Sequence, residues 1–408
     1  MKGMKKDPVE LVREADVVSL TQALVRIPSQ YIDQVLAEHQ EMARYLADHM
    51  KKIGLDVAVA EPVKGYPVVV GTTRDGGKVP TIGVIGHYST VAIGDRSEWT
   101  RDPMGAELED GKIHGRGSAD QKGGIAAVLT ATRCLLESGF PLKGRLRLIM
   151  VPGEGCTETA VEPVVAQTPD VVRCDVYIDS DGGPQSMSLV SGGFVWLEFV
   201  TKGKGAHTGS MTGDGSVPIN PLEKMIKVVS RIMKPIWMKA EHHPLFGPEH
   251  RRYSRDPIVE LNVFQAGTKV NMIPNVARAQ IDIRMLPSQT LEGVLKELDS
   301  VLDELRAQDK DLDVSYHILN RDKSKRETPE DHPVVKTIRE ACREFEEPEP
   351  NLYGSIGGGR AALSRLGPVV SWGAGGGKNA HAPNEYAFVD RLVIGARLHA
   401  RVYAKMLT

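Results

Sequence analysis

Several segments of this sequence that read as strands or strand-to-helix turns end in a side chain able to hold a metal or move a proton. His87 closes PTIGVIGHYS, Asp120 lies in the glycine-rich turn GRGSADQKGG, Glu154 follows RLRLIMVP, and Asp179 and Asp181 close VYIDSD. Imidazole nitrogens and carboxylate oxygens together suit zinc, manganese or cobalt. A carboxylate beside such an ion can serve as general base toward a metal-activated water. Taken singly, each residue has a plainer reading. A lone His after a strand is more often a hydrogen-bonded rim residue, an Asp opening a helix is routinely an N-cap, and this glycine cluster lacks the P-loop pattern. Four such ends in one chain match the place where open α/β sheets put their active sites.

A late cluster, GAGGGKNAHAPNEY, adds His381 among glycines, Asn384 and Glu385, with little apolar packing to make it a core residue. Further candidates are His207 in GKGAHTG, Asn271 in VNMIPN and Arg284 in QIDIRM; Arg284 reads equally well as half of a salt bridge on a sheet face. His242, His243 and His250, in EHHPLFGPEHRRYSRD, read as an exposed polar loop rather than a metal site.

The elements that must position these groups follow from hydrophobic period. Apolar residues at three- and four-residue spacing predict two helices between residues 8 and 54, separated at Pro28. VAVA, YPVVVGT and PTIGVIGHYS then read as strands, followed by a helix after Gly123 and Gly124, strand RLRLIMVP, a helix, and strand CDVYIDSD. That alternation is an α/β layer fold with a mixed, largely buried sheet. From FVWLEFVTKG to DVSYHIL the order becomes β-α-β-β-α-β, the pattern of a ferredoxin-like α+β insertion. The expected domains are 1–188 and 321–408 for the α/β part and 189–320 for the insertion.

Composition narrows the function. Lys+Arg 51 against Asp+Glu 53 gives a net charge of -2, without the basic footprint of a nucleic-acid or membrane-surface binder. No window approaches the length of an apolar membrane span, and the start MKGMKKDPVELVREADVV lacks an apolar leader. Four scattered cysteines in 408 residues do not make a disulfide framework. The expectation is a cytoplasmic enzyme acting on a small molecule.

In order along the chain, GHYS, WTRDP, GRGSADQKGG, PGEG, GKGAH, NMIP and HAPNE resemble the motifs of the aminoacylase, succinyl-diaminopimelate desuccinylase and carboxypeptidase G family of metallohydrolases, from about residue 15 to the end. The resemblance implies a mixed-sheet catalytic domain interrupted by a lid that forms a homodimer. It assigns His87, Asp120 and Asp181 to one metal and Glu154 to the general base. His207, Asn271 and Arg284 become groups that bind substrate or stabilise charge, with His207 reaching across the dimer.

Three departures from the family pattern shape the expectation. An ungapped alignment of GRLRLIMVPGEG puts Gly155 where the family has a second-metal glutamate, leaving that position with Asp120 and His381. A one-residue shift would instead make Glu154 the ligand. Ser89 replaces an aspartate that orients the metal-bound histidine, a loss of about 10- to 100-fold in affinity unless Tyr88 or Ser89 fixes the ring. Arg360, in GSIGGGRAAL, could recognise a substrate carboxylate or pair with a nearby aspartate. Together these predict one labile divalent ion, manganese, zinc or cobalt, with His381 free to contact substrate.

The predicted activity is hydrolysis of a C–N bond by metal-activated water. The departures point to deamination of an electron-poor aminobenzoate such as 5-nitroanthranilate to the phenol and ammonia. Amide hydrolysis of an N-acyl amino acid or peptide is the alternative, and a non-catalytic small-molecule binder is the third reading.

Overall fold

The computed structural model describes residues 5–31, 36–74, 77, 80–153, 157–246, 255–322, 326–355 and 360–408. Two compact units emerge. One comprises residues 1–189, 327–353 and 359–408, and the other residues 190–326 with 354–358.

The first unit is built on a sheet that has nine strands among the described residues. Their order is Leu55–Ala60, Val68–Thr73, Arg145–Val151, Thr81–His87, Val176–Asp179, Val369–Ser371, Ser186–Ser191 and Arg326–Glu327, with Asn351–Ser355 paired to Ser186–Ser191. Thr81–His87 runs parallel to both Arg145–Val151 and Val176–Asp179, while Val68–Thr73 is antiparallel to Leu55–Ala60 and to Arg145–Val151. The mixed sheet expected from the sequence is therefore present. Its strands are near-continuous apolar runs because both faces are covered. Val68, Val70, Ile85, Ile149 and Val151 pack into one core with Val161 and Val164 of the helix Thr157–Gln167.

The register aligns the catalytic candidates. His87 lies opposite Val151, and Ile85 opposite Asp179, so three adjacent parallel strands end within two residues of one another. The helix Gly123–Glu137, buried along nearly its whole length, begins at that level. Gly123 is required there: a Cβ at this position would lie 2.4 Å from the Ser118 carbonyl oxygen. The two N-terminal helices also form, as Glu14–Arg26 and Leu36–Lys52, with Pro28 between them.

The second unit is a four-stranded antiparallel sheet in the order Ile258–Ala266, Val276–Arg284, Phe194–Lys202, Asp313–Asp322, with helices Pro221–Ile232 and Leu291–Gln308. This is the expected β-α-β-β-α-β order. Alternation in Phe194–Lys202 sends Val195, Leu197 and Phe199 inward against Met225, Val228, Leu298 and Val301 of the helices. No helix among the described residues is long and apolar enough to cross a membrane.

Candidate metal centre

His87 ends its strand almost fully buried. Its backbone N–H donates to Gln121 Oε1 at 3.0 Å, and its ring Nδ1 lies 3.0 Å from the backbone carbonyl oxygen of Ser89. A carbonyl oxygen can only accept, so Nδ1 carries the proton and a neutral ring presents a bare lone pair at Nε2. The Tyr88 hydroxyl donates instead to the Pro67 carbonyl at 2.6 Å. Ring orientation therefore belongs to the Ser89 main chain.

The Nε2 lone pair faces two carboxylates. Asp120 Oδ1 lies 2.9 Å away and Asp181 Oδ2 4.0 Å away. Ligand atoms of the three residues fall within 4.8 Å of one another. Asp120 Oδ1 is buried and has no hydrogen-bond donor among the described residues. Three converging acceptors repel one another unless a proton or cation sits among them, and one imidazole nitrogen with two carboxylate oxygens is a donor set for zinc, manganese or cobalt. The residues present fit the ion that the sequence pattern calls for.

Asp120 also reaches the other way: its Oδ2 lies 2.8 Å from His381 Nε2. The carboxylate thus stands between two histidines. Burial disfavours its charge, but the His87 and His381 rings, when protonated, outweigh burial and hold the carboxyl far below its ordinary range. Asp181 is pushed up to about 6, first by its depth among protein atoms and then by the negative charge of Asp120. Its side chain is 47% exposed, so the neighbouring charge acts on it more strongly than burial does. His381 adopts φ 64, between Asn379 at 58 and Asn384 at 59. Left-handed backbone is unusual for a histidine and is tolerated where surrounding structure over-determines it.

Other sequence candidates divide. Arg360, buried and at φ 68, donates from Nε to Asp179 Oδ1 at 3.1 Å, with Nη2 2.9 Å from the same oxygen. Asp179 Oδ2 accepts from Ser371 at 2.9 Å. Of the two readings for Arg360, the geometry favours the aspartate pair over a substrate carboxylate, because a buried guanidinium needs a fixed counter-charge. In the second unit Asn271 Nδ2 lies 3.2 Å from His207 Nε2. Arg284 pairs with Asp282, Nε at 2.9 Å and Nη2 at 2.7 Å, and lies over the Phe194 ring. That is the sheet-face salt bridge. His242 Nδ1 bonds the Arg255 carbonyl at 2.9 Å, and His243 Nδ1 accepts the Leu245 N–H at 3.2 Å. Glu154, Gly155 and His250 lie outside the described residues.

The sequence matches Peptidase family M20/M25/M40 over residues 83–405. The chain belongs to this family. It is a family of metal-dependent hydrolases. This M20 chain is 28% identical over 339 residues to an uncharacterised metallohydrolase of Methanocaldococcus jannaschii, covering 78% of this chain and 79% of that one. It is 23% identical over 382 residues to the N-formyl-4-amino-5-aminomethyl-2-methylpyrimidine deformylase of Bacillus subtilis, covering 86% and 85%. Among solved structures, an M20 metallo-carboxypeptidase from Sulfolobus solfataricus superposes with a TM-score of 0.80 at 21% identity, covering 96% and 99%.

Residues that sequence does not single out also serve the site. Gln121 holds the His87 backbone, and Arg116 and Glu385 form a buried ion pair with Oε2 2.6 Å from Nη1. All three lie inside quoted motifs, GRGSADQKGG and HAPNE. Their roles were hidden because each acts through main-chain groups.

Proposed function

We propose that this chain hydrolyses an amide-type C–N bond of a small carboxylate-bearing substrate, with His87, Asp120 and Asp181 holding one manganese, zinc or cobalt ion. The observation that carries the reading is the Nε2 lone pair of His87, fixed by the Ser89 carbonyl and aimed at two carboxylates. When bound, the metal supplies Lewis acidity that brings a water's pKa toward neutrality.

The chain's own groups do the rest. Glu154 takes the water's proton and returns it to the leaving nitrogen. Asp120 supplies a carboxylate to the ion through one oxygen while its Oδ2 lies 2.8 Å from His381 Nε2. His207 stabilises negative charge developing on the substrate oxygen, and Asn271 orients that oxygen. Arg284 joins only by exchanging Asp282 for the substrate's charge. One ion is proposed because Gly155 stands where the family pattern has a second-metal glutamate, which leaves Asp120 and His381 for that position. Homodimerisation through the insertion, and the catalytic and lid roles of domains 1–188, 189–320 and 321–408, belong to the same proposal.

Two named relatives favour amide cleavage over aminobenzoate deamination: a deformylase of an N-formyl pyrimidine and a metallo-carboxypeptidase. Arg360, a candidate for a substrate carboxylate, is engaged by Asp179.

The test is a panel of N-formyl and N-acyl amines, N-acyl amino acids, dipeptides and electron-poor aminobenzoates, assayed with manganese-, zinc- and cobalt-loaded protein. Glu154→Gln is the control. Metal-dependent release of amine or acid from an amide, abolished in Glu154→Gln, supports the proposal. Ammonia release from aminobenzoates alone would replace it, and metal-independent ligand binding without turnover would favour the binder.

A further inference from the structure

Glu385 is 1% exposed, and its carboxylate is directed into the turn that presents Asp120. Its Oε1 accepts the backbone N–H groups of Ala119 and Asp120, both at 3.0 Å. Its Oε2 accepts from Arg116 Nη1 at 2.6 Å. The Arg116 guanidinium also donates to the carbonyls of Ala382 at 3.2 Å and Ala92 at 3.3 Å, and stands 5.0 Å from the centre of the Trp99 ring. The Gly115 N–H closes the assembly on the Glu385 carbonyl at 2.9 Å.

One buried ion pair therefore touches three pieces of chain: the segment that leaves His87, the turn that carries Asp120, and the segment that carries His381. Asp120 has non-helical backbone angles, φ -132 and ψ 96, between a left-handed Gly117 and the helix that begins at Gly123. Its N–H and that of Ala119 cannot enter a regular helical ladder, and buried N–H groups without an acceptor are costly. Glu385 supplies that acceptor for both.

We infer that Glu385 is a positioning residue: by accepting the N–H groups of Ala119 and Asp120 it holds the Asp120 carboxylate between His87 and His381, with Arg116 supplying the counter-charge for its buried carboxylate. This rests on the proposed reading of His87, Asp120 and Asp181 as a metal site.

The test compares full-length wild type, Glu385→Leu, and the double variant Arg116→Met/Glu385→Gln. The double variant keeps a carbonyl oxygen for the two N–H groups and removes a guanidinium that would otherwise be buried unpaired. Manganese affinity is read by titration, and amide hydrogen exchange is read across the metal-free chain. In Glu385→Leu, exchange at Ala119 and Asp120 should rise at least about tenfold, confined to residues 117–121. Manganese binding should weaken by about 10- to 100-fold. The double variant should stay within about threefold of wild type in both measurements.

A leucine variant that binds manganese as tightly as wild type overturns the inference, as does exchange that rises evenly over the whole chain. If the leucine variant does not fold, the double variant decides: slow exchange with retained affinity supports the inference, and slow exchange with lost affinity overturns it. A wild type that takes up no manganese removes the metal reading and this inference together. A wild type that binds, beside a leucine variant that binds equally well, removes the inference alone.

Discussion

The ring of His87 is oriented by a backbone atom two residues away: Nδ1 donates to the carbonyl oxygen of Ser89 at 3.0 Å. A main-chain carbonyl performs the task that the family pattern gives to an aspartate side chain at position 89. Ser89→Ala should accordingly leave metal affinity within about threefold of wild type, far short of the loss expected when an orienting carboxylate is removed. His87→Ala should abolish binding at the same concentrations. Manganese titration of the two variants is the check, and a hundredfold loss in Ser89→Ala would show that its hydroxyl does the orienting.

Arg360 and Asp179 are both nearly buried and paired at 2.9 Å. Removing one partner strands the other's charge in a poorly solvated place. Arg360→Met should cost about 3 to 5 kcal/mol of stability, and Arg360→Met/Asp179→Asn should recover much of it. Urea unfolding of the two variants reads this directly. A stable Arg360→Met protein with a raised KM would instead return Arg360 to substrate binding.

A titration should appear at a histidine outside the proposed metal ligands. His399 is fully buried in the C-terminal helix Val389–Leu407, stacked on Trp372 at 4.5 Å and bonded through Nδ1 to the Tyr403 hydroxyl at 3.0 Å. Burial pushes its pKa down from 6.5 to about 3. The folded chain then stays unprotonated at His399 where the unfolded chain takes up a proton, so this contribution is complete above pH 6.5 and is lost as pH falls from 6.5 toward 3. Between pH 7 and pH 5 the loss should be about 2 kcal/mol. Urea unfolding at the two pH values should show it in wild type and not in His399→Leu; equal slopes would refute the assignment.

His207 and Asn271 lie 3.2 Å apart. Under the proposed mechanism, His207→Ala should lower kcat by about 10²- to 10³-fold, as loss of an oxyanion donor does, with metal content unchanged. Steady-state kinetics on the best substrate of the panel, beside metal analysis, separates this from a damaged metal site. Unchanged kcat would take His207 out of the mechanism.

Chelation should also destabilise the protein. An ion bound by the folded chain alone adds about 2.7 kcal/mol at a hundredfold excess over its Kd. A chelator should therefore lower the Tm of wild type and leave that of Asp181→Ala nearly unmoved. Calorimetry with and without chelator measures both.

Much of this molecule was legible in one dimension. Apolar period placed the strands that end at His87 and Asp179 and the helix after Gly123, because side-chain spacing reports which face of a local element is buried. The βαββαβ order of the insertion followed from the same signal, and ordered motifs marked the residues of the proposed metal centre. Tertiary structure alone decided which groups those residues meet. Arg360 faces Asp179, 181 positions earlier in the chain, and nothing local to either residue records the pairing. Ser89 acts through its carbonyl and Glu385 through the N–H groups of Ala119 and Asp120. Main-chain donors and acceptors are the same at every non-proline position, so sequence carries no mark of the ones a site will use; the path of the folded backbone selects them.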